Sequence, residues 1–581
     1  MINTFRISPF DKMLKPTKNT SRYLLLIVFL LIALQALSNT RIFADSTASI
    51  LIQNHLKKKI ELETTKERLR CRGELICGLS QIPLFYQLRG FLPAWCSDKG
   101  ILPQAESLIT EIKGASDEGL RPDDYHLTNI LLLIDKIKNK QALGNTVDPE
   151  LWADLDLLLT DAFMLYASHL LAGRVNPETV HTDWTVSIPT ADLTSILQSA
   201  LKTNQIKKAL TDFRPDHPGY SELKTYLAHY RNIAKEVHEF PLLDGAHLQK
   251  GDKGASVESL RERLIILGDL GDLYADNKDQ ADLFDETIEK AVQSYQKRHG
   301  LKQDGIVGPR TLEILNTPLQ KRIRQIELNM ERWRWIPRNI ENRYLVVNIA
   351  DFKLWVTENR RRVLDMRVVV GRPYRRTPVF SAKMTFMVIN PYWNIPQDLA
   401  VKDVLPKIQK NIHYIEQQKI KVFKDWSKDA AEIDPETIAW NKIGPRNFTY
   451  KLRQEPGPRN LLGRMKFIFP NKFAVYLHDT PTRSLFKENN RDFSSGCIRV
   501  EEPIDLAVYL LKDDPSWTRE RLMETIKNGT PQVVGFKKPI TVHLQYWTAW
   551  VDETGKLNFR YDIYDRDGTL DRALRERRPE A

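Results

Sequence analysis

A change in apolar periodicity limits the fold of this chain more than any other feature. From about Thr47 to Ala246 apolar residues recur at helix spacing, as in Leu151, Leu155, Leu158, Leu159, Ala162 and Phe163, a pattern that lays one stripe along a 3.6-residue helix. Past residue 340 the pattern becomes that of strands, at 344–349, 353–356, 363–370 and 384–389. A single core serves roughly 100 to 200 residues, so a chain of 581 is expected to hold three or four domains. The fold class that follows is multidomain α+β. An all-α region over 46–246 comes first, then a small three-helix module over 247–318, a linking helix within 319–339 and a mostly β domain over 340–538.

The module is defined by its faces and turns. Val257, Leu260, Leu264 and Leu267 make one helix face, and Ile288, Val292 and Tyr295 make a second. His299-Gly300-Leu301, Asp304-Gly305 and Val307-Gly308-Pro309 then supply a helix stop and a turn before a short third helix over 311–316. In the β domain the prolines of Asn390-Pro391-Tyr392-Trp393-Asn394-Ile395-Pro396 end regular pairing, because proline offers no ladder N–H. Asn390, Tyr392 and Trp393 are expected to pack rather than bind. The stretch 397–462 is too long for an ordinary connection and reads as an inserted lid. Strand pattern returns at 465–469 and 473–477, and a helix follows Pro503. Near the C-terminus, 540–551 and 557–563 flank Asp552-Glu553-Thr554-Gly555-Lys556. This predicts a hairpin within 539–581 that packs on the β domain and ends in a tail.

The N-terminus bears on the compartment. Arg6, Lys12, Lys15, Lys18 and Arg22 precede an apolar run over 23–37, which falls short of the ~20 residues of a membrane span. Ala44 offers a cleavage position, so 1–45 reads as an export signal or, uncleaved, as a membrane anchor. Export implies an oxidising compartment, where two of Cys71, Cys77 and Cys96 are expected to pair, while Cys497 stands alone. The net charge of +12 favours acidic partners. Lys and Arg are scattered without any zinc-finger, glycine-rich RNA-binding or basic-zipper pattern, so no nucleic-acid partner is expected.

Chemistry concentrates in Tyr476-Leu477-His478-Asp479-Thr480-Pro481 and Arg491-Asp492-Phe493-Ser494-Ser495-Gly496-Cys497-Ile498-Arg499-Val500. A cysteine attacks as thiolate, and a nearby imidazole lowers the thiol pKa and later protonates a leaving amine. Gly496 lets backbone approach the substrate, and the amides of Gly496 and Cys497 are expected to serve an oxyanion. The Asp479 side chain, adjacent on a strand, should point away from the imidazole, so a backbone carbonyl within 479–480 is the expected orienting group. Ser494, Ser495 and Arg499 are candidate substrate contacts; Arg suits both carboxylate recognition and loop bracing. The twelve histidines are dispersed with no His-Glu-x-x-His, so neither metal nor cofactor is expected.

These segments resemble the YkuD-type catalytic signature of the L,D-transpeptidases: a histidine, a spacer of about 15 residues, then Ser/Thr-His-Gly-Cys and an Arg or Asn two further on. Ser495 stands where many members carry a second histidine. The resemblance extends through Gly371-Arg372-Pro373, Arg376-Thr377-Pro378-Val379-Phe380, residues 390–396 and Arg453-Gln454-Glu455-Pro456-Gly457-Pro458. The module resembles the common peptidoglycan-binding domain. The runs 85–95 and 171–177 resemble the helical scaffold domain of the large Gram-negative branch. The resemblance implies a periplasmic enzyme, held at the inner membrane if its N-terminal segment is uncleaved. Its partners would be peptidoglycan stem peptides and glycan. Cys497 would be the nucleophile, His478 the general base and acid, and the insert a substrate cap. The implied reaction releases terminal D-Ala from a tetrapeptide stem and forms a 3→3 cross-link, with carbapenems trapping the same cysteine. L,D-carboxypeptidase activity and a non-catalytic wall-binding scaffold are the alternatives.

Overall fold

The computed structural model describes residues 47–63, 70–78, 81–97, 100–237, 240–243, 247–271, 281–338 and 340–576. The expected export segment and the last five residues lie outside them. The chain forms two compact units, 1–107 with 128–162 and 108–127 with 163–581.

The first unit includes helix α1 (Thr47–Glu63) and part of helix α2 (Pro149–Ala172). Buried carboxylates on α2 organise its short strands and loops. Asp156 accepts from the backbone amides of Ala94 (2.8 Å) and Trp95 (2.7 Å) and from the Tyr86 hydroxyl (2.6 Å). The Cys96 thiol lies 3.4 Å from Asp156, and the Cys71 thiol 3.4 Å from Asp154. None of the four cysteines is in a disulfide, which corrects the expected pairing among Cys71, Cys77 and Cys96. The reason is local: residues 154 and 156 point about 200° apart around a helix, so the thiols that seek them stay separate. Cys77 is held further along α2, its amide donating to Asp161 (3.0 Å).

In the second unit, helix α3 (Pro218–Val237) precedes the three-helix module of α4 (Ala255–Ile266), α5 (Glu286–Arg298) and α6 (Pro309–Leu315). The predicted faces converge, with Val257, Leu260, Leu264, Ile288, Val292 and Tyr295 buried together. The Asp285 side chain caps α5 by accepting from the Ile288 amide (2.9 Å). Helix α7 (Leu319–Arg334) then packs on α3 through Ile323, Ile326 and Met330.

The β domain begins with β1 (Arg343–Asn348), β2 (Lys353–Glu358), β3 (Arg361–Gly371) and β4 (Phe380–Ile389). The insert's sheet starts before the expected bound of 397, with β5 (Trp393–Asn394), and continues through β6 (Ile420–Phe423), β7 (Glu432–Ile433) and β8 (Lys451–Gln454). The main sheet resumes with β9 (Met465–Ile468), β10 (Leu477–His478), β11 (Asp492–Ser494) and β12 (Ile498–Val500). Helix α8 (Pro503–Leu511) and β13 (Gln532–Gln545) follow. The nine-stranded order is β11-β3-β12-β10-β9-β4-β13-β1-β2, and β2 also pairs with β3, so the sheet curls on itself like a barrel. The insert is a separate four-stranded sheet, β7-β6-β8-β5, over its own core of Ile395, Val404, Ile408, Val422, Trp440 and Leu452.

One expectation is corrected here. The apolar run at 540–551 is not one arm of a terminal hairpin. Residues 540–545 belong to β13, which runs antiparallel to β4 and parallel to β1 in the sheet interior. Only β14 (Ala549–Val551) and β15 (Leu557–Phe559) form the hairpin. A register shift between Gly535 and Ile540 accommodates Pro539, which could not join a regular central ladder. Helix α9 (Arg566–Arg575) closes the described chain.

Candidate active site

The short strand β10 lies between β9 and β12, and period-2 alternation sorts its neighbours. Met465, Phe467, Leu477, Ile498 and Val500 turn into the main core. The alternate positions, Lys466, Tyr476, His478, Cys497 and Arg499, share the opposite face. In register, His478 sits opposite Lys466 on β9 and opposite Arg499 on β12. The Ile498 amide donates to the Tyr476 carbonyl (3.1 Å), extending the ladder so that Tyr476 lies beside Cys497. His478 and Cys497 are thus diagonal neighbours on one face.

His478 is buried, and its Nδ1 donates to the carbonyl of Asp479 (2.5 Å). A carbonyl only accepts, so Nδ1 carries the hydrogen and Nε2 keeps its lone pair. Burial, then the charge of Arg499, lowers the imidazole pKa to about 3, so His478 rests neutral. The Asp479 carboxylate points elsewhere, accepting from the Arg464 amide (2.9 Å) and Nε (2.8 Å). Gly463 makes room for it: its φ is +61°, and a Cβ there would lie 2.5 Å from Asp479 Cγ. The orienting group is therefore a main-chain carbonyl, held in place by its own side chain.

Cys497 is partly exposed. Burial pushes its thiol pKa up, opposed by hydrogen bonds from the Tyr476 amide and hydroxyl and by the charges of Arg499 and Lys466. Tyr476 also hydrogen-bonds Trp393 at the root of the insert and stacks edge-on to His478, with centroids 5.7 Å apart. Sequence reasoning quoted Tyr476 without a role and missed Lys466; their position two residues from a site residue, or opposite one, was the available signal.

The loop that carries Cys497 is tied down from several sides. Gly496 adopts φ +108°, where a side chain would be strained. Its amide donates to Ser494 Oγ (3.1 Å), and Ser494 Oγ donates to the Cys497 carbonyl (2.5 Å). These bonds correct two expectations. The Gly496 amide is engaged inside the loop, leaving Cys497 as the backbone donor of the pair, and Ser494 is a buried brace instead of a substrate contact. Thr377 Oγ1 donates to the Gly496 carbonyl (2.9 Å) and accepts from the Gly371 amide (2.9 Å). The Tyr564 hydroxyl donates to the Gly371 carbonyl (2.5 Å), so the C-terminal segment supports the same loop. Exposed Ser495 accepts from Arg375 Nη1 (3.0 Å), and Arg375 also pairs with Asp403 of the insert (2.5 Å). Arg499 is only partly exposed, its Nε is buried without a partner, and no carboxylate pairs with it among the described residues. No cluster of metal-ligating side chains occurs among the described residues.

A barrel-like β domain that carries a cysteine and an oriented histidine on one sheet face, joined to a three-helix module, has the form of an L,D-transpeptidase. Comparison with known proteins makes the same assignment. Residues 342–534 match the L,D-transpeptidase catalytic domain (YkuD), 253–315 the "putative peptidoglycan binding domain" and 80–227 the scaffold domain. The chain carries the catalytic domain of the L,D-transpeptidase family together with these two accessory domains. It is 36% identical over 249 residues to a "Putative L,D-transpeptidase" of Haemophilus influenzae, covering 43% of this chain and 49% of that protein. It is 38% identical over 76 residues to the N-acetylmuramoyl-L-alanine amidase CwlM of Mycobacterium tuberculosis, covering 12% and 19%. The chain thus spans about half the length of the first relative and about a fifth of the second. Among solved structures, the L,D-transpeptidase (Yku) of Stackebrandtia nassauensis aligns at 16% identity over 52% of this chain and 96% of that one, with a TM-score of 0.21. The Ldtfm-avibactam carbamoyl enzyme aligns at 13% identity over 56% and 98%, with a TM-score of 0.17. Superpositions this weak add nothing to the assignment.

Proposed function

We propose that this protein is an extracytoplasmic L,D-transpeptidase that forms 3→3 peptidoglycan cross-links through a Cys497 acyl-enzyme. The observation that carries the reading is the juxtaposition on one sheet face of Cys497 and a neutral His478 whose Nε2 is unprotonated. His478 takes the thiol proton as sulfur attacks the carbonyl of the third stem residue, usually meso-diaminopimelate. The carbonyl carbon–nitrogen bond then breaks, and the imidazolium passes its proton to the departing D-Ala amine. An imidazole as weakly basic as His478 (about 3) gives up that proton readily to an amine. The amine of a second stem attacks the thioester, forming the new amide and returning the thiol. The Cys497 amide serves the oxyanion. Arg499, without a protein carboxylate of its own, takes a substrate carboxylate, and the insert shields the thioester from water. Residues 1–45 act as export signal or inner-membrane anchor.

The test is intact-protein mass spectrometry with a carbapenem, comparing wild type with Cys497→Ala, followed by muropeptide analysis with a tetrapeptide donor. An adduct on wild type alone, with 3→3 dimers, supports the reading. Tripeptide alone makes the protein an L,D-carboxypeptidase. Neither adduct nor product removes the catalytic reading and leaves a wall-binding scaffold.

A further inference from the structure

Lys466 takes no part in the proton transfers at Cys497, yet it shares the sheet face with the thiol. It stands opposite His478 on β9, and Arg499 stands opposite His478 on β12. The imidazole thus lies between two cationic residues whose Cα atoms are about 10 Å apart. Lys466 is half-buried and makes no ion pair among the described residues. Burial pushes its ammonium pKa down, and the charge of Cys497 as thiolate is what opposes this. Its other neighbour in register is Val388 on β4, followed by the exposed Val533 on β13. Asp479, next to His478 on the ladder, turns its carboxylate to Arg464 Nε (2.8 Å). A half-buried ammonium without a carboxylate carries a desolvation cost that a ligand's carboxylate offsets.

One ring marks the path from the sulfur to this ammonium. The Tyr476 hydroxyl hydrogen-bonds the Cys497 sulfur, and Lys466 Nζ lies 5.6 Å from the centroid of the same ring. Sulfur and nitrogen are therefore at most about 12 Å apart. In a diaminopimelyl residue attacked at its L-centre carbonyl, the distal carboxylate is six bonds away, about 7.5 Å when extended. An attack distance of about 3 Å at sulfur and an ion-pair contact of about 2.8 Å at nitrogen complete a span of the same length. The trimethylene chain between the two ends suits the apolar face of Tyr476. The distal carboxylate and amine share one carbon, so the carboxylate can face Lys466 while the amine turns to solvent. A lysine in this place would end in an ammonium alone, which Lys466 repels.

We propose that Lys466 is a specificity residue of the donor site, gripping the distal carboxylate of the third stem residue and leaving the carboxylate of the departing D-Ala to Arg499. The inference rests on the transpeptidase reading and adds which third residue the donor site accepts, namely one that ends in a free carboxylate. The test uses tetrapeptide donors that differ only at the third residue: meso-diaminopimelate, the same residue with its distal carboxylate amidated, and lysine. KM and kcat for D-Ala release are measured on the full chain as wild type, Lys466→Met and Lys466→Arg. In wild type, amidation and lysine should each raise KM at least tenfold with a smaller change in kcat. Lys466→Met should erase that preference, and Lys466→Arg should keep it. A lysine with a merely structural role would weaken all donors alike and leave the ratios unchanged, and because each ratio is read within one variant, partial loss of folded protein cancels. Equal KM values in wild type, or a preference that survives Lys466→Met, overturn the role of Lys466 and leave the transpeptidase reading intact. If wild type releases D-Ala from none of the donors, the transpeptidase reading fails, and calorimetric binding to Cys497→Ala decides for Lys466. Tighter binding of the free-carboxylate donor, lost when Lys466→Met is added, supports its role; equal binding of all three donors overturns it.

Discussion

Alkylation of Cys497 by a small uncharged electrophile such as iodoacetamide should track hydroxide across the neutral range. An ordinary thiol ionises near 8.5, and burial pushes this one higher, so at pH 7 the thiolate fraction should fall below about 3%. His478, held at about 3, contributes no charge between pH 5 and 8. The sign follows from the raised thiol: its neutral form persists below the folded pKa, and thiolate appears only as pH rises toward it. The logarithm of the rate should therefore climb with unit slope from pH 5 past 8. Arg499 opposes the burial. It lies two residues along β12 from Cys497, at roughly 7 Å, where a unit charge at an effective dielectric of about 20 contributes about 2 kcal/mol, between one and two pKa units. Arg499→Met should move the rising limb that far toward alkaline pH. It should not destabilise the fold, since it removes a charge without a protein partner. A pH-independent rate between 5 and 8, signalling a resting thiolate–imidazolium pair, would refute the reasoning, as would an Arg499→Met profile that superimposes on wild type.

Gly463→Ala should cost about 2 kcal/mol by urea denaturation and slow carbapenem acylation, because a Cβ at φ +61° would strike the Asp479 side chain whose main chain orients His478. Thr377→Val should cost about 2 kcal/mol and also slow acylation, since it leaves the Gly371 amide and Gly496 carbonyl unpaired in the interior; an acylation rate equal to wild type would show that the Gly496 loop needs no such brace. Asp403→Asn breaks an exposed pair worth under about 1 kcal/mol, so stability should hold while more of the acyl-enzyme partitions to water, read as the tripeptide-to-dimer ratio. Acid should weaken the fold, because burial lowers His181 and His478 to about 3 and His217 and His543 to about 4. The unfolded chain, titrating near 6.5, binds more protons, so the stability they contribute is whole above that pH and is lost as pH falls toward 3 to 4. The loss amounts to about 2 kcal/mol per histidine by pH 5, and a urea midpoint unchanged from pH 7.5 to 5 would contradict it.

The sequence made the site legible where the signal was local. His478 and Cys497 stand out because a histidine on a strand and a Ser-Ser-Gly-Cys turn are short patterns. The orienting carbonyl of Asp479 followed from strand alternation alone. What stayed hidden depends on partners distant in the chain. Residues 541–545 pair with 344–348 only across nearly two hundred residues of chain, and the adjacent hairpin signal at 552–556 drew the whole apolar run into a local reading. The Gly496 amide looked available for an oxyanion because nothing local reveals where Ser494 Oγ will turn. The disulfide expectation failed for a related reason. Proximity in sequence suggested pairing among Cys71, Cys77 and Cys96, but the α2 carboxylates beside them keep them apart: Asp154 and Asp156 project on different sides of the helix, and Asp161 lies about two turns along from Asp154.

A neutral thiol beside a neutral imidazole also bears on why the domain carries an insert. A resting thiolate would react with any small electrophile that reached it, whereas this pair is activated only when a carbonyl lies close enough for attack and proton transfer to coincide. In the proposed mechanism the vulnerable species is then the thioester, exposed to water until an amine arrives. The insert is connected to the site at the two places where that matters. Trp393 at its root hydrogen-bonds Tyr476, whose hydroxyl also reaches the Cys497 sulfur, and Asp403 pairs with Arg375, which holds Ser495 on the nucleophile loop. A shift of the insert therefore changes both the surroundings of the sulfur and the support of its loop. This is why the Asp403→Asn variant is expected to alter the fate of the acyl-enzyme more than its formation.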